Sequence, residues 1–472
     1  MGYNKLTPEL IEQLRAIAPG RVFTGDEINQ DYEHDEMPIY GKFKPDVAVE
    51  VVSKEEISAV MKLCNDNLIP VTARGAGTGL AGGCPPIAGG VTLVTTRMNK
   101  ILSYDLANFT VTVQPGVLLN TLAEDAAKQG LLYPPDPGEK FATLGGNVST
   151  NAGGMRAVKY GTTRRYVRSM EVCLANGEIV RLGANVAKTS SGYSLLNLVV
   201  GSEGTLAIIT ELTLELIPQP KETVSLIIPF EDINSCIGAV PQIFLAGLKP
   251  QALEFMESEI VYMAEKYLER DVFPHVVDGV EAKAYLLATF DGDSMDVLDA
   301  VTEQCSEVVF EAGAIDVLVA DTPDKRAKAW SARNAFYEAI CAATTELDEC
   351  DVVVPIDKIP EFVEYTNGLE DEVGIKIRSY GHAGDGNVHV YVLREDLDRE
   401  EFLKKAEEAL GKMYEKANEL GGLVSGEHGI GHSKFPYLKE SLGEESINLM
   451  FGIKKVFDPN LILNPGKVCY EM

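Results

Sequence analysis

No apolar run in the 472-residue chain approaches the ~20 residues of a membrane span. The opening stretch, MGYNKLTPELIEQLRAIAPG, has no apolar signal core and reads as an amphipathic helix between Thr7-Pro8 and Pro19-Gly20. The eight cysteines include no CxxC pair, and the closest two, Cys341 and Cys350, are nine apart. That spacing excludes a disulfide framework, a zinc ribbon and an iron–sulfur cluster, and reduced thiols in a cytoplasmic protein are expected. Basic side chains are also scarce. Lys and Arg number 42 against 71 Asp and Glu, a net charge of −29 that excludes a binder of phosphate backbones. The deficit is uneven: residues 1–220 carry 19 basic and 23 acidic side chains (−4), and residues 221–472 carry 23 and 48 (−25). No internal repeat or low-complexity tract is visible. With 45% hydrophobic and 24% charged residues, the composition is that of a soluble globular protein, and the length suits two to three domains.

Glycine is what the first half has in abundance. A β-branched run, Pro45–Val52, precedes a helix that starts with a Ser53/Glu56 capping box and runs to about Asn67. A strand over 69–73 then opens onto Arg74–Gly90. Within it, Gly77-Thr-Gly-Leu-Ala-Gly82 matches GxGxxG, but Gly83-Cys-Pro-Pro-Ile-Ala-Gly-Gly90 follows and cannot open the helix a Rossmann site needs. The spacing predicts an open loop whose successive N–H groups cradle an anion. Thr143-Leu-Gly-Gly-Asn-Val-Ser-Thr-Asn-Ala-Gly-Gly154 and Gly201-Ser-Glu-Gly-Thr-Leu-Ala-Ile-Ile209 repeat the theme. Three such segments suit an elongated dinucleotide better than a single phosphate. Pro218-Gln-Pro220 marks a boundary, after which longer helices separate the strands of an α+β region.

Pro70–Gly83, Pro134-Pro-Asp-Pro-Gly138, Thr143–Gly154 and Gly201–Thr205 resemble the FAD-binding domain of the vanillyl-alcohol oxidase superfamily. Gly381-His-Ala-Gly-Asp-Gly-Asn-Val-His389 and Gly426-Glu-His-Gly-Ile-Gly431 narrow the resemblance to the flavin subunits of D-lactate dehydrogenases and glycolate oxidases, over roughly residues 40–472. The resemblance implies an α+β protein: a FAD-binding domain at 1–220, an α+β cap domain at 221–421, and a C-terminal segment, 422–472, returning to the flavin. It implies cofactor contacts from Arg74, Gly75, Ala76, Gly77, Thr78, Gly79 and Leu80 in the first loop, and from Pro135, Asp136, Thr143, Gly145, Gly146, Asn147, Ser149, Thr150, Gly153, Gly154 and Gly161 in the second region. Glu203, Gly204, Ile209 and, at the C-terminus, Asn464 and Lys467 complete the set. No histidine lies between His34 and His275, and Cys84 is outside the usual tethering motif, so non-covalent FAD is expected.

Four of the six histidines fall between 382 and 432. His382 and His389 stand at the mouths of two strands that suit a hairpin. With Glu427 they form a two-histidine, one-carboxylate set that suits Zn, Fe(II) or Mn, or else a pair of hydrogen-bonded structural histidines. The resemblance favours the metal. It leaves His428 as general base or third metal ligand, and His432 outside the ligand shell. Trp330-Ser-Ala-Arg-Asn-Ala-Phe336 resembles the segment whose arginine holds a substrate carboxylate, here Arg333, the alternative being a surface arginine. Asn387 and Tyr391 are further candidate substrate contacts. Asp348, Glu349 and Cys350 stand where relatives acting on 2-hydroxyglutarate carry a lysine, which favours a small monocarboxylate. The implied activity is FAD- and metal-dependent oxidation of D-lactate, with glycolate, D-2-hydroxyglutarate or a purely flavin-binding role as alternatives. The implied electron acceptor is an electron-transferring flavoprotein, in some relatives with flavin-based bifurcation.

Overall fold

The computed structural model describes residues 2–472, which divide into two compact units. The first comprises residues up to Gly153, Thr162–Gln219 and Glu427–Met472; the second comprises Gly154–Gly161 and Pro220–Gly426. The chain leaves the first unit at the Pro218–Pro220 boundary, but it re-enters at Glu427 rather than 422. Residues 154–161, expected with the flavin loops, cluster with the second unit.

In the first unit, the helix Pro8–Ile17 is capped by Thr7, whose hydroxyl accepts from Leu10 N, and the helix Lys54–Asp66 is capped by Ser53, which accepts from Glu56 N. The Glu56 carboxylate answers at 2.9 Å from Val52 N. Both helices turn apolar faces onto a four-stranded sheet ordered Val22–Thr24, Val47–Glu50, Val91–Val94, Val71–Arg74. The last three strands are parallel and buried on both faces, as their unbroken apolar runs require. Strand Val71–Arg74 is an edge, and the C-terminal segment caps it: Val71 N donates to Ile462 O and Asn464 N donates to Val71 O. Beneath it, the buried Lys454 ammonium donates to Thr205 O, Leu463 O and Asp458 Oδ2. A second, five-stranded antiparallel sheet completes the unit.

The second unit is built on a seven-stranded antiparallel sheet ordered Leu318–Ala320, Glu222–Phe230, Ala284–Gly292, Ala252–Glu257, Lys376–His382, Asn387–Leu393, Leu347–Val353. The hairpin expected around His382 and His389 forms, with His382 opposite Asn387 and Tyr380 opposite His389. Period-two alternation puts Asn387, His389 and Tyr391 on one face, and the neighbouring strand adds Glu349 and Asp351 opposite Tyr391 and His389. Cys350 points to the other face. Residues 154–161 are held by Asp291, whose carboxylate pairs with Lys159 and Tyr160. No helix among the described residues is long and apolar enough to cross a membrane.

Candidate active site

In the first unit a cleft opens where the strand Val71–Arg74 ends. Its lining runs from Ala73 to Leu80, through Thr143–Gly153 and Glu203–Ile209, to Glu427 and His428. The loop after Arg74 is shaped from outside. The buried Asp35 carboxylate accepts from Gly82 N at 2.7 Å and Met37 N at 3.0 Å, Gly79 O accepts from Glu36 N, and the Arg74 guanidinium donates to His34 O and reaches Cys84 Sγ at 3.1 Å. Burial pushes the Asp35 carboxyl above its ordinary value despite these bonds. Gly77 sits at φ +86°, and a Cβ there would lie 1.9 Å from Arg74 Nη2, so only glycine lets the guanidinium pass behind the loop. Thr143–Gly154, expected as bare loop, instead begins with a short helix, Leu144–Thr150, capped by the Thr143 hydroxyl. Among the described residues, the buried Asn147 Nδ2 has no hydrogen-bond partner.

Glu203 (φ +52°) places the Glu427–Gly431 motif on this cleft. Its buried carboxylate accepts from Ile430 N at 2.8 Å and Gly431 N at 2.9 Å, and burial pushes that carboxyl upward. A Cβ on Gly153 would come within 2.6 Å of Glu427 Oε2, and His428 Nε2 lies 3.6 Å from Glu427 Oε1. Behind the lining, Asn464 Nδ2 donates to Gly83 O and Glu203 O, and Lys467 Nζ donates to Gly83 O and Pro85 O. Burial lowers Lys467 to about 8. His432 packs edge-on against Phe43, and burial and then Lys467 lower it to about 4. The cleft offers main-chain N–H groups, small hydroxyls and one unsatisfied amide donor, which fits a phosphate- and carbonyl-rich dinucleotide such as FAD.

The second unit holds a buried polar cluster on the hairpin face. His382 Nδ1 bonds Glu254 Oε1 at 2.7 Å, and Glu254 Oε2 also accepts from Arg333 Nε at 2.8 Å and Nη2 at 2.7 Å. Burial alone would raise the Glu254 carboxyl, but His382 and Arg333 outweigh it and hold it below the usual range. His382 and His389 face each other with Nε2 atoms 3.5 Å apart. Two nitrogens on one tetrahedral zinc stand about 3.4 Å apart, so the pair fits a shared divalent ion. Glu349 Oε1 and Asp351 Oδ1 lie 3.7 and 3.8 Å from His389 Nδ1. A carboxylate on the inner nitrogen of His382 fixes its proton there and presents Nε2, the arrangement common behind metal-bound imidazoles.

Seventeen of the expected cofactor residues line the cleft: Arg74 to Leu80, Thr143, Gly145, Gly146, Asn147, Ser149, Thr150, Gly153, Glu203, Gly204 and Ile209. Pro135 and Asp136 give way to Pro137 and Glu139, Asn464 ties the loops from behind, and Gly154 and Gly161 belong to the second unit. Cys84, discounted as a tether, lines the cleft, its thiol pushed up by burial. Glu427 and His428 belong to the first unit, and His382, His389 and Arg333 to the second. Arg333 is buried against Glu254 rather than lying on the surface. Asn387 spends its amide on Asp351 Oδ1 and Val352 O, and the Tyr391 hydroxyl bonds that of Tyr380. Glu254 was not anticipated; the available signal was a carboxylate flanked by Leu253 and Phe255 inside the strand Ala252–Glu257.

Residues 45–183 match the FAD binding domain family, and residues 219–468 match the family of FAD linked oxidases, C-terminal domain. The chain belongs to the FAD-linked oxidases. It is 62% identical over 470 residues to a D-lactate dehydrogenase of Anaerostipes hadrus, covering 100% of this chain and 99% of that one. It is 37% identical over 469 residues to a glycolate oxidase subunit of Bacillus subtilis, covering 98% and 97%. The 4-ethylphenol oxidase of Gulosibacter chungangensis, solved with isoeugenol, shares the fold at a TM-score of 0.80 and 19% identity, over 100% of this chain and 99% of that one. The FAD-linked oxidase thus has the vanillyl-alcohol oxidase type of architecture, with the expected α+β class.

Proposed function

We propose that this FAD-linked oxidase oxidises D-lactate to pyruvate with non-covalent FAD and one divalent metal, in the cytoplasm, and passes the electrons to an electron-transferring flavoprotein. The 62% identity, along the whole chain, to a D-lactate dehydrogenase carries the choice of substrate. When bound, FAD supplies the acceptor for the C2 hydride, and the metal (Fe, Zn or Mn) supplies a Lewis acid. His382, His389 and Glu427 are the residues assigned to hold that metal. His428 takes the hydroxyl proton at a ring nitrogen, a task suited to an imidazole near neutral pH. Arg333 holds the substrate carboxylate with the part of its guanidinium that Glu254 does not occupy. The buried Glu349 carboxylate, facing His389, opposes a second carboxylate on the substrate.

Anaerobic mixing of the FAD-loaded, metal-replete chain with D-lactate tests this reading. Flavin absorbance bleaches rapidly with D-lactate, and more slowly with L-lactate, glycolate or D-2-hydroxyglutarate. Faster bleaching by glycolate or D-2-hydroxyglutarate reassigns the substrate, and no bleaching by any of them leaves a flavin-binding subunit. Reoxidation of the bleached chain by an electron-transferring flavoprotein, but not by NAD alone, tests the acceptor.

A further inference from the structure

Glu254 is absent from every motif that points to the flavin, the metal or the substrate, yet it touches two residues assigned to different tasks. It sits in the strand Ala252–Glu257, directly opposite His382 in the sheet, and is 0% exposed. A carboxylate buried so completely persists only where donors meet its oxygens. Here the donors are functional side chains: Oε1 and Oε2 both face His382 Nδ1, at 2.7 and 2.9 Å, and Oε2 also receives Nε and Nη2 of Arg333. Arg333 comes from the last turn of the helix Pro323–Asn334 and His382 from the end of the strand Lys376–His382. One carboxylate therefore sets the ring orientation of the first and the guanidinium plane of the second.

We infer that Glu254 is a positioning residue that keeps the His382 proton on Nδ1, presents Nε2 to a divalent cation, and aligns Arg333 for the substrate carboxylate, so that one group prepares both binding events. The inference rests on the proposed metal-dependent function and adds the residue that organises it. The chemistry requires a carboxylate rather than an amide. Arg333 has only donors, so the oxygen at the Oε2 position must remain an acceptor. In a Glu254→Gln variant the amide nitrogen then falls at the Oε1 position, the nearer to His382 Nδ1, and the one remaining acceptor, 2.9 Å from that nitrogen, is shared with Arg333. A donor facing Nδ1 favours the tautomer with the proton on Nε2, where it blocks the lone pair a metal needs.

The test uses the full-length, FAD-loaded chain, stripped with a chelator and titrated with Zn²⁺ in competition with a chromogenic chelator. Glu254→Gln is expected to weaken Zn²⁺ binding about 10- to 100-fold, the usual cost of losing the carboxylate behind a metal-bound histidine. The ratio of flavin to protein stays unchanged. Fluorescence of Trp330, the single tryptophan, held by Ser225 and Thr289 in the same unit, reports that the unit remains folded. Glu254→Asp keeps the charge and both acceptors and is expected to lose less affinity than the Gln variant; at saturating Zn²⁺ both variants raise KM for D-lactate more than they lower kcat. If the Gln variant loses the folded Trp330 signal, the Asp variant carries the test, and unchanged Zn²⁺ affinity in it overturns the inference. Equal Zn²⁺ affinity in wild type and a folded Gln variant also overturns it while leaving the proposed function standing. A wild-type chain that binds no Zn²⁺ removes the metal from the proposed function, and this inference with it.

Discussion

The two units build their polar sites from opposite materials. In the first, the cleft is made of main chain: glycines, N–H groups and small hydroxyls, with loops pinned from behind by Asp35, Glu203, Asn464 and Lys467. In the second, the cluster is made of buried polar side chains that hold one another against a sheet face: Arg333 holds Glu254 and Glu254 holds His382, while Asn387 holds Asp351. The charge imbalance follows the same division: the first unit has 22 basic and 29 acidic side chains (−7), the second 20 and 42 (−22). A backbone site tolerates the loss of side chains and fails when a carbon is added. A side-chain site fails on truncation, because each group removed leaves a buried partner unsatisfied.

The largest effect expected is on His428, a side chain standing in the backbone-built cleft. His428→Ala should keep FAD bound yet slow flavin reduction by D-lactate about 10²- to 10⁴-fold in stopped-flow bleaching. An unchanged rate would remove it as the proton acceptor, and loss of FAD would blur the contrast between the units. Next, Arg333→Lys replaces a planar fork with a point charge and breaks the two-bond hold on Glu254; KM for D-lactate should rise about 10- to 100-fold with flavin content unaltered. On the other side of the comparison, Gly77→Ala adds one carbon where φ is +86° and Arg74 Nη2 is 1.9 Å away. FAD should bind about tenfold more weakly, read from the flavin-to-protein absorbance ratio on dilution, while Zn²⁺ affinity is untouched. The smallest effect concerns acid stability. Folded His432 resists protonation until about 4, below the 6.5 of a free imidazole. The unfolded chain therefore binds more protons between those values, and stability falls as pH drops through that window. His432→Phe should flatten the decline of the thermal midpoint between pH 6.5 and 4, and an unaltered slope would show that other groups control it.

What could be read from the sequence follows from the same contrast. The glycine segments were legible because a main-chain site must write itself as local composition, and the hairpin with His382 and His389 was legible because alternation shows in a short window. The short helix Leu144–Thr150 was not, since its glycines argue against helix and only the Thr143 cap argues for it. Glu254 lies 128 residues from His382, and no local pattern ties a strand carboxylate to a distant histidine. For Asn387 and Tyr391, expected as substrate contacts, the partners of the Asn387 amide nitrogen (Asp351 and Val352) and of the Tyr391 hydroxyl (Tyr380) are neighbours that only the sheet register brings near. Residues 154–161 look like one more glycine-bounded loop; they belong to the second unit, where Asp291, far along the chain, pairs with Lys159 and Tyr160.

The threading of the chain constrains how the protein is made. The edge strand Val71–Arg74 receives its partners Ile462 and Asn464 from a segment that follows the whole seven-stranded sheet in the chain. During synthesis that edge stays open while the entire seven-stranded sheet emerges, so the nascent polypeptide carries an unprotected β-edge until residues 462–464 have been made.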